Sequence, residues 1–234
     1  MNEFNLKKLE SNLREVKELG YRLLSCSKYC ELKEKNSLPQ LRMIVRVDVD
    51  FSLYKSIPIL NIFERLGINA TFFIRLHAEE YNPFSIENYK IIQRMVREGH
   101  EIGYHSEVID QAANWNENPD TLLRRDIEIL KLISGTVIKG VASHGGNTGL
   151  NNLDFWKDKS TNEFDLEYEA YDRSQIFGAF WSSIYVSDSS WTKWKSYRNG
   201  KLIEEAQTSF LEYARDFEES IYLLIHPDTF SEQV

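Results

Sequence analysis

The chain has 234 residues, of which 42% are hydrophobic and 27% are charged, and its formal net charge at pH 7 is -8. These fractions are ordinary for a folded globular protein and exclude an intrinsically disordered chain. The excess of acidic residues and the lack of an extended basic stretch predict no nucleic-acid partner. No apolar run approaches the roughly 18 residues that a transmembrane helix needs, so no membrane span is predicted.

The N-terminal region also carries information on cellular location. The first eight residues lack the charged-then-apolar order of a signal peptide, which predicts a cytoplasmic protein. Cys26 and Cys30 are too few for a disulfide framework, and two thiols alone make a poor zinc site. We interpret both as reduced thiols.

Residues 1–40 are predicted to form a helical extension that packs on the main domain, which spans residues 41–234. Apolar residues recur at spacings of three and four from residue 3 to about residue 35, as on one face of a helix. Gly20 is a position where this helix could break, and Pro39 ends the segment.

After Pro39, short apolar segments alternate with helical patterns. The helical patterns end at Gly67, Gly99 and Gly135, and glycine suits the left-handed position that follows a helix. Repeated alternation predicts parallel strands with helices outside, and hence an α/β fold. The predicted strands are residues 42–50, 70–76, 101–105 and 137–144.

The last third of the chain is less regular and is rich in Trp, Tyr, Asn and Ser. Strands are predicted at 164–169, 183–187 and 221–225, and a helix is predicted at 204–218. Trp181, Trp191 and Trp194 lie in this region. They could stack on a sugar ring or pack in the core.

Acidic and imidazole side chains stand at the ends of five predicted strands. Ligands and catalytic groups collect at the carboxyl ends of parallel strands. Carboxylate and imidazole are the groups that a divalent metal such as zinc prefers, and they also transfer protons near neutral pH. The residues are Asp48 with Asp50, His105, His144, Asp188 and His226.

Asp48 and Asp50 point the same way if the strand end is regular, because side chains i and i+2 share a face. Two close carboxylates repel each other, and a cation would resolve this. One aspartate would then be a metal ligand and the other a base. The alternative is a helix cap and a salt bridge to Arg46 or Arg75.

The remaining strand-end residues also have two interpretations. His105 could be a core histidine bonded to a carbonyl, and His144 could be a ligand or part of the Gly145-Gly146 turn. Asp188 fits an ordinary turn as well as it fits a site. His226, which precedes a proline, is interpreted as a catalytic proton donor.

Residues 40–230, with their motifs taken in chain order, resemble the polysaccharide deacetylase superfamily, also called the NodB-homology fold or carbohydrate esterase family four. Three segments carry the resemblance. They are Val47-Asp48-Val49-Asp50, Gly99-His100-Glu101-Ile102-Gly103-Tyr104-His105-Ser106 and Leu223-Leu224-Ile225-His226-Pro227. The resemblance implies a distorted (β/α) barrel that binds a divalent metal, expected to be zinc. It implies Asp48 as general base, Asp50 and His105 as metal ligands, and His226 as the donor to the leaving amine.

Two departures from the family pattern concern the metal and the base. The second metal histidine of the family would fall at Ile109, and the third motif, at Ser143-His144-Gly145, lacks the arginine that orients the base. The chain therefore resembles a divergent branch linked to surface-polysaccharide biosynthesis. We expect His144 to replace the missing ligand, with Glu107 or Asp110 as alternatives.

The predicted function is metal-dependent removal of an N-acetyl group from an amino sugar in surface polysaccharide or lipopolysaccharide biosynthesis. Tyr104, Asp188 and Trp191 are the predicted substrate contacts, and Tyr104 or a turn amide near Gly145 would support the oxyanion. One alternative is a catalytically degenerate binding or scaffold protein, and another is a hydrolase of a different amide C–N bond. The oligomeric state is left open.

Overall fold

A computed structural model describes residues 4–173, 176–204 and 208–231. None of the helices in these ranges combines the length and the apolar character that crossing a bilayer requires. The helices are α1 (Leu6–Glu18), α2 (Cys26–Glu34), α3 (Ser56–Leu66), α4 (Ile86–Arg97), α5 (Val108–Trp115), α6 (Pro119–Ser134), α7 (Ala179–Ser182) and α8 (Phe210–Arg215). The strands are β1 (Arg22–Leu24), β2 (Arg42–Val49), β3 (Thr71–Ile74), β4 (Glu101–Ser106), β5 (Gly140–Ser143), β6 (Tyr168–Glu169), β7 (Ile184–Ser187), β8 (Lys195–Arg198), β9 (Lys201–Leu202) and β10 (Ser220–Ile225).

The ten described strands form one sheet in the order β6-β5-β4-β3-β2-β10-β7-β8-β9, with β1 as an additional partner of β2. Strands β1 to β7 and β10 pair in parallel, and β8 and β9 add an antiparallel hairpin. Strand β1 pairs with the first half of β2, where Arg22 is opposite Arg42, and β3 pairs with the second half. Parallel pairing brings the carboxyl ends of β5, β4, β3, β2 and β10 to one rim of the sheet.

Side chains alternate between the two faces of the sheet, as the strand period requires. Met43, Val45 and Val47 of β2 belong to the large core between the sheet and the outer helices. Ile44 belongs instead to a second core on the inner face of the sheet. Residues 46, 48 and 50 are an even number of positions from Ile44, so their side chains lie on the same inner face. This face extends to the rim of the sheet.

The sheet curls around this inner core. The Phe177 ring stacks on Tyr168 of β6 at 4.8 Å and meets Tyr222 of β10 edge-on at 5.5 Å. Tyr171, just after β6, and Tyr185 of β7 bring their hydroxyl oxygens to 3.3 Å. No backbone pairing joins β6 to β7 within the described residues. The predicted α/β fold of distorted barrel type is confirmed.

The three glycines predicted to end helices are confirmed. Gly67, Gly99 and Gly135 end α3, α4 and α6 with φ angles of 60°, 82° and 71°, in the left-handed region that favours glycine. Asn118 caps α6 by accepting hydrogen bonds from the first-turn amides of residues 120 and 121.

Other local predictions are wrong. The helical pattern predicted over residues 3–35 does break at Gly20 (φ 95°), the position that the sequence offers for a break, but the three residues that form β1 were predicted as helix. The strand predicted at 164–169 shrinks to Tyr168–Glu169, because a 3-10 helix occupies Thr161–Phe164. Residues 205–207 of the helix predicted at 204–218 lie outside the described residues, and α8 begins only at Phe210.

Candidate active site

The strand-end residues other than Asp188 line a cavity of about 500 Å³ at the rim of the sheet. Strand β2 supplies Asp48 and Asp50, because alternation carries the inner face of the strand to its carboxyl end. The ends of β4, β5 and β10 supply one histidine each. The lining includes Asp48, Asp50, His105, Ser143, His144, Gly145, Trp191 and His226.

The three predicted metal ligands lie together. One donor atom from each of Asp50, His105 and His144 lies within 4.8 Å of the other two. The Nε2 atom of His105 is 3.2 Å from Asp50 Oδ1, and the Nε2 atom of His144 is 3.9 Å from the same oxygen. Among residues 4–173, 176–204 and 208–231, no other group of three acidic, histidine or cysteine side chains meets this criterion.

The chemistry of these three side chains fits a divalent cation. The buried Asp50 Oδ1 accepts no hydrogen bond from any described residue. His105 Nδ1 lies 2.9 Å from the Ala142 carbonyl oxygen, which can only accept, so Nδ1 carries the proton of the neutral ring. This leaves the Nε2 lone pair of His105 facing Asp50. Two imidazoles and one carboxylate are a donor set that zinc uses.

The two alternative ligands lie elsewhere. Glu107 Oε1 is 3.1 Å from Nδ1 of His144, on the far side of the ring from Asp50. Asp110 accepts hydrogen bonds from Thr148 and Asn152, among others, and so holds the loop that follows His144.

Asp48 is held by an arginine from its own strand. Arg46 donates Nε to Oδ1 and Nη2 to Oδ2 of Asp48, both at 2.7 Å. Its fully buried guanidinium lies between the rings of Phe73 and Tyr171, at 5.2 Å and 4.6 Å. Burial alone would raise the pKa of Asp48, but Arg46 outweighs burial and holds the pKa below its usual value. The salt bridge considered as an alternative to a site therefore exists within the site.

His226 is fixed by Asp188. The Nδ1 atom of His226 is 2.6 Å from Asp188 Oδ1, and its backbone amide donates to Oδ2 at 2.9 Å. Nε2 is then free to face the cavity, 3.7 Å from Asp50 Oδ2. Asp188 is completely buried and is not part of the cavity lining. The prediction that Asp188 contacts substrate is wrong, because both its oxygens are engaged by His226.

This pair predicts a pH dependence. Burial lowers the pKa of His226, but Asp188 and the other nearby carboxylates outweigh burial and raise the pKa from the ordinary 6.5 to about 9. A raised folded-state pKa stabilises the fold fully below about pH 6.5, and the contribution is lost as the pH rises through 9. We expect the His226 ring protons of the metal-free protein to titrate in NMR spectra well above pH 6.5. In Asp188→Asn the midpoint should fall, and an unchanged midpoint would contradict the assignment.

The prediction for Tyr104 is wrong. Tyr104 precedes His105 on β4, so the strand period points its ring to the opposite face of the sheet. There its hydroxyl donates to Asp126 Oδ2 at 2.7 Å and accepts from Gln111 Nε2 at 3.1 Å. Tyr104 is buried and absent from the cavity lining, so it cannot contact an oxyanion there.

Trp191 lies at the mouth of the cavity and is 41% exposed. Its ring lies 5.6 Å from Phe51 and 5.8 Å from His226, and its φ of 64° is unusual for a tryptophan. Trp194 is instead buried in the core against Phe4 and Phe210. The far wall of the cavity is aromatic and was missed by the sequence analysis except for Trp181. It consists of Tyr171, Phe180, Trp181, Tyr185 and Tyr197.

Comparison with known proteins finds a match to one family model over part of the chain and several solved structures of low sequence identity. A family model described as polysaccharide deacetylase matches residues 55–160, just under half of the chain. The match contains the Gly99–Ser106 motif and His144, whereas Asp48, Asp50 and His226 lie outside it. No curated protein matches the sequence.

Three solved structures are similar at low identity. The Streptococcus pyogenes deacetylase PplD, in complex with acetate, is 16% identical over 59% of this chain and 62% of that chain, with a TM-score of 0.46. A mutant of BA3943, a CE4 family pseudoenzyme with restored enzymatic activity, is 12% identical over 82% of this chain and 62% of that chain, with a TM-score of 0.45. A family 4 carbohydrate esterase from Bacillus anthracis is 19% identical over 85% and 76%, with a TM-score of 0.45. The alignments thus span less than two thirds of the first two structures. Residues 55–160, which include the Gly99–Ser106 motif, are therefore similar to the polysaccharide deacetylase family.

Proposed function

We propose that the protein is a metal-dependent hydrolase that removes the N-acetyl group from an amino sugar. The observation that carries the proposal is the convergence of Asp50, His105 and His144 donor atoms within 4.8 Å of one another. A held carboxylate and a held imidazole, Asp48 and His226, flank this cluster in the same cavity. A divalent cation bound by the three side chains would polarise the acyl carbonyl and acidify the attacking water.

The residues of the chain supply the proton transfers. Asp48 is ionised because the Arg46 guanidinium stabilises its negative charge. Its Oδ2 atom lies near the cluster, 3.3 Å from His105 Nε2. It accepts the proton of the water whose oxygen attacks the acyl carbon. His226 is protonated at neutral pH, and its Nε2–H gives a proton to the nitrogen as the C–N bond breaks. The products are acetate and the free amine. Asp188 is a positioning residue, because it acts through His226.

The two departures from the family pattern are compensated within this site. His144 supplies the third donor of the cluster, in place of the histidine that the family carries at the position of Ile109. Arg46 contacts the base in place of the arginine missing from the third motif. These contacts support a functional hydrolase over the degenerate scaffold that the two losses alone had suggested.

The cavity wall supports a carbohydrate as the substrate. Aromatic side chains that edge a polar site bind the apolar faces of sugar rings. Tyr185 and Phe180 meet edge-on at 4.9 Å, and Tyr171 contacts both rings, so the wall is packed before ligand binds. The expected zinc identity, the cytoplasmic location and the link to surface-polysaccharide synthesis stay predictions.

The test is a substrate panel assayed with and without added zinc. We expect acetate release from N-acetylated hexosamine glycosides, loss of activity with a chelator, and recovery on addition of zinc. Release of a different acyl group from the same panel would indicate another amide hydrolase. Zinc-loaded, folded protein without activity on any amide would favour the scaffold alternative and contradict the proposal.

A further inference from the structure

The side chain of Glu107 lies between a predicted metal ligand and a buried arginine. One oxygen, Oε1, is 3.1 Å from Nδ1 of His144 and accepts a hydrogen bond from Arg75 Nη2 at 2.8 Å. Glu107 is 5% exposed and Arg75 is 4% exposed, so water competes little for either group. The remaining ring nitrogen of His144, Nε2, faces Asp50.

Glu107 does not perform the local role that its position in the sequence predicts. It is the residue immediately before α5, where a short polar side chain normally accepts hydrogen bonds from the first helical amides. The Glu107 side chain makes no such bond. Asn152 Oδ1 accepts from the amides of residues 109 and 110 instead. Because Glu107 contacts a residue of the site and does not cap the helix that it precedes, we expect its function to lie in the site.

Arg75 connects Glu107 to a second predicted ligand. Its Nη1 donates to the backbone carbonyl of Asp50 at 2.7 Å, while Nη2 binds Glu107. Its backbone amide donates to the Tyr81 hydroxyl at 2.9 Å, and that hydroxyl donates to the Val49 carbonyl at 2.9 Å. The ends of β2 and β3 are thereby fastened together around the arginine.

His144 has more need of an orienting partner than His105 does. His105 lies within β4, and the Ala142 carbonyl of the adjacent strand fixes its ring. His144 follows the last residue of β5 and precedes two glycines. Nδ1 of His144 lies within ion-pair distance of Glu107 Oε1 and makes no hydrogen bond to any described residue. A carboxylate beside the second ring nitrogen of a histidine ligand orients the ring and makes it a stronger base toward metal.

We propose that Glu107 is a positioning residue for His144 and that Arg75 holds Glu107 and Asp50 in register, so that the pair raises the affinity of the site for a divalent cation. This inference rests on the proposed function, since it takes Asp50, His105 and His144 as the ligands. Glu107 itself is not a ligand in this arrangement.

The experiment measures the dissociation constants of Zn²⁺ and Co²⁺ by competition with a chelating dye, using the full chain freed of metal. Glu107→Gln keeps the shape and the Arg75 contact but removes the charge, and we expect an affinity loss of about tenfold. Glu107→Ala should approach a loss of about 100-fold. The matched control is Glu80→Gln, because Glu80 Oε2 also approaches Arg75, at 3.6 Å, without contacting His144. It should leave the affinity unchanged. Thermal melting of each metal-free variant shows whether it is folded.

Three results would overturn the proposal, and they differ from one another. Equal dissociation constants for the parent protein and both Glu107 variants would show that Glu107 only stabilises the fold. A loss in Glu107→Gln as complete as in His144→Ala would make Glu107 a ligand. A parent protein that binds neither ion would overturn both this role and the metal dependence of the proposed function.

Discussion

Replacing Asp48 by asparagine is expected to lower kcat for N-acetyl hydrolysis by about 10² to 10⁴-fold, the range for loss of a general base. The asparagine cannot take up a proton at neutral pH, although its carbonyl oxygen still accepts from Arg46. KM and the bound zinc should change little, because the carboxylate of Asp50 and the two imidazoles are untouched.

The control for this prediction is a second buried aspartate. Asp126 is also fully buried and accepts hydrogen bonds, but it lies on the outer face of the sheet with Tyr104 and Gln111. Asp126→Asn should destabilise the fold without a comparable loss of kcat. If Asp48→Asn retained more than about a tenth of the parent kcat, Asp48 would not be the base.

Replacing His144 by alanine is expected to abolish zinc binding at the site and, with it, the activity. Two ligands remain in that variant, and a structural or catalytic zinc site in proteins keeps at least three. Metal analysis of the purified protein should fall from about one zinc per chain, the stoichiometry of a single such site, to near zero.

Ile109 provides the matched comparison, because it is where the family carries its second histidine. It is partly buried and packs against the large core. Ile109→Val should leave the zinc content at the parent value. If the His144→Ala variant kept the zinc content of the parent protein, His144 would not be a ligand and another side chain would be the third ligand.

The strand period explains both a successful and a failed site prediction. The sequence predicts that Asp48 and Asp50 lie together because they are two residues apart on one strand. The same rule, applied backward, puts Arg46 on that face, and applied to β4 it separates Tyr104 from His105. The strand period therefore contains the information that corrects the prediction for Tyr104, and it places the Arg46 salt bridge, which was an alternative to a site, within the site.

Other features depend on contacts between residues that are distant in the sequence, which local sequence patterns do not encode. The three residues of β1 are too few to interrupt a helical periodicity, yet pairing with β2 fixes them as a strand. Tyr171 and Tyr185 meet only because the sheet curls, and Glu107 meets His144 only because β4 and β5 end side by side. The contact of Asp188 with His226 could not be predicted from local patterns either, because the two residues are 38 positions apart.

The convergence of three side chains on one cation is tested most directly by anomalous diffraction at the zinc absorption edge, on crystals of the protein grown with zinc. We predict one strong peak at about 2.0 to 2.2 Å from a carboxylate oxygen of Asp50 and from Nε2 of His105 and His144. A fully occupied zinc bound elsewhere, or no peak beside these three atoms, would contradict the proposed hydrolase.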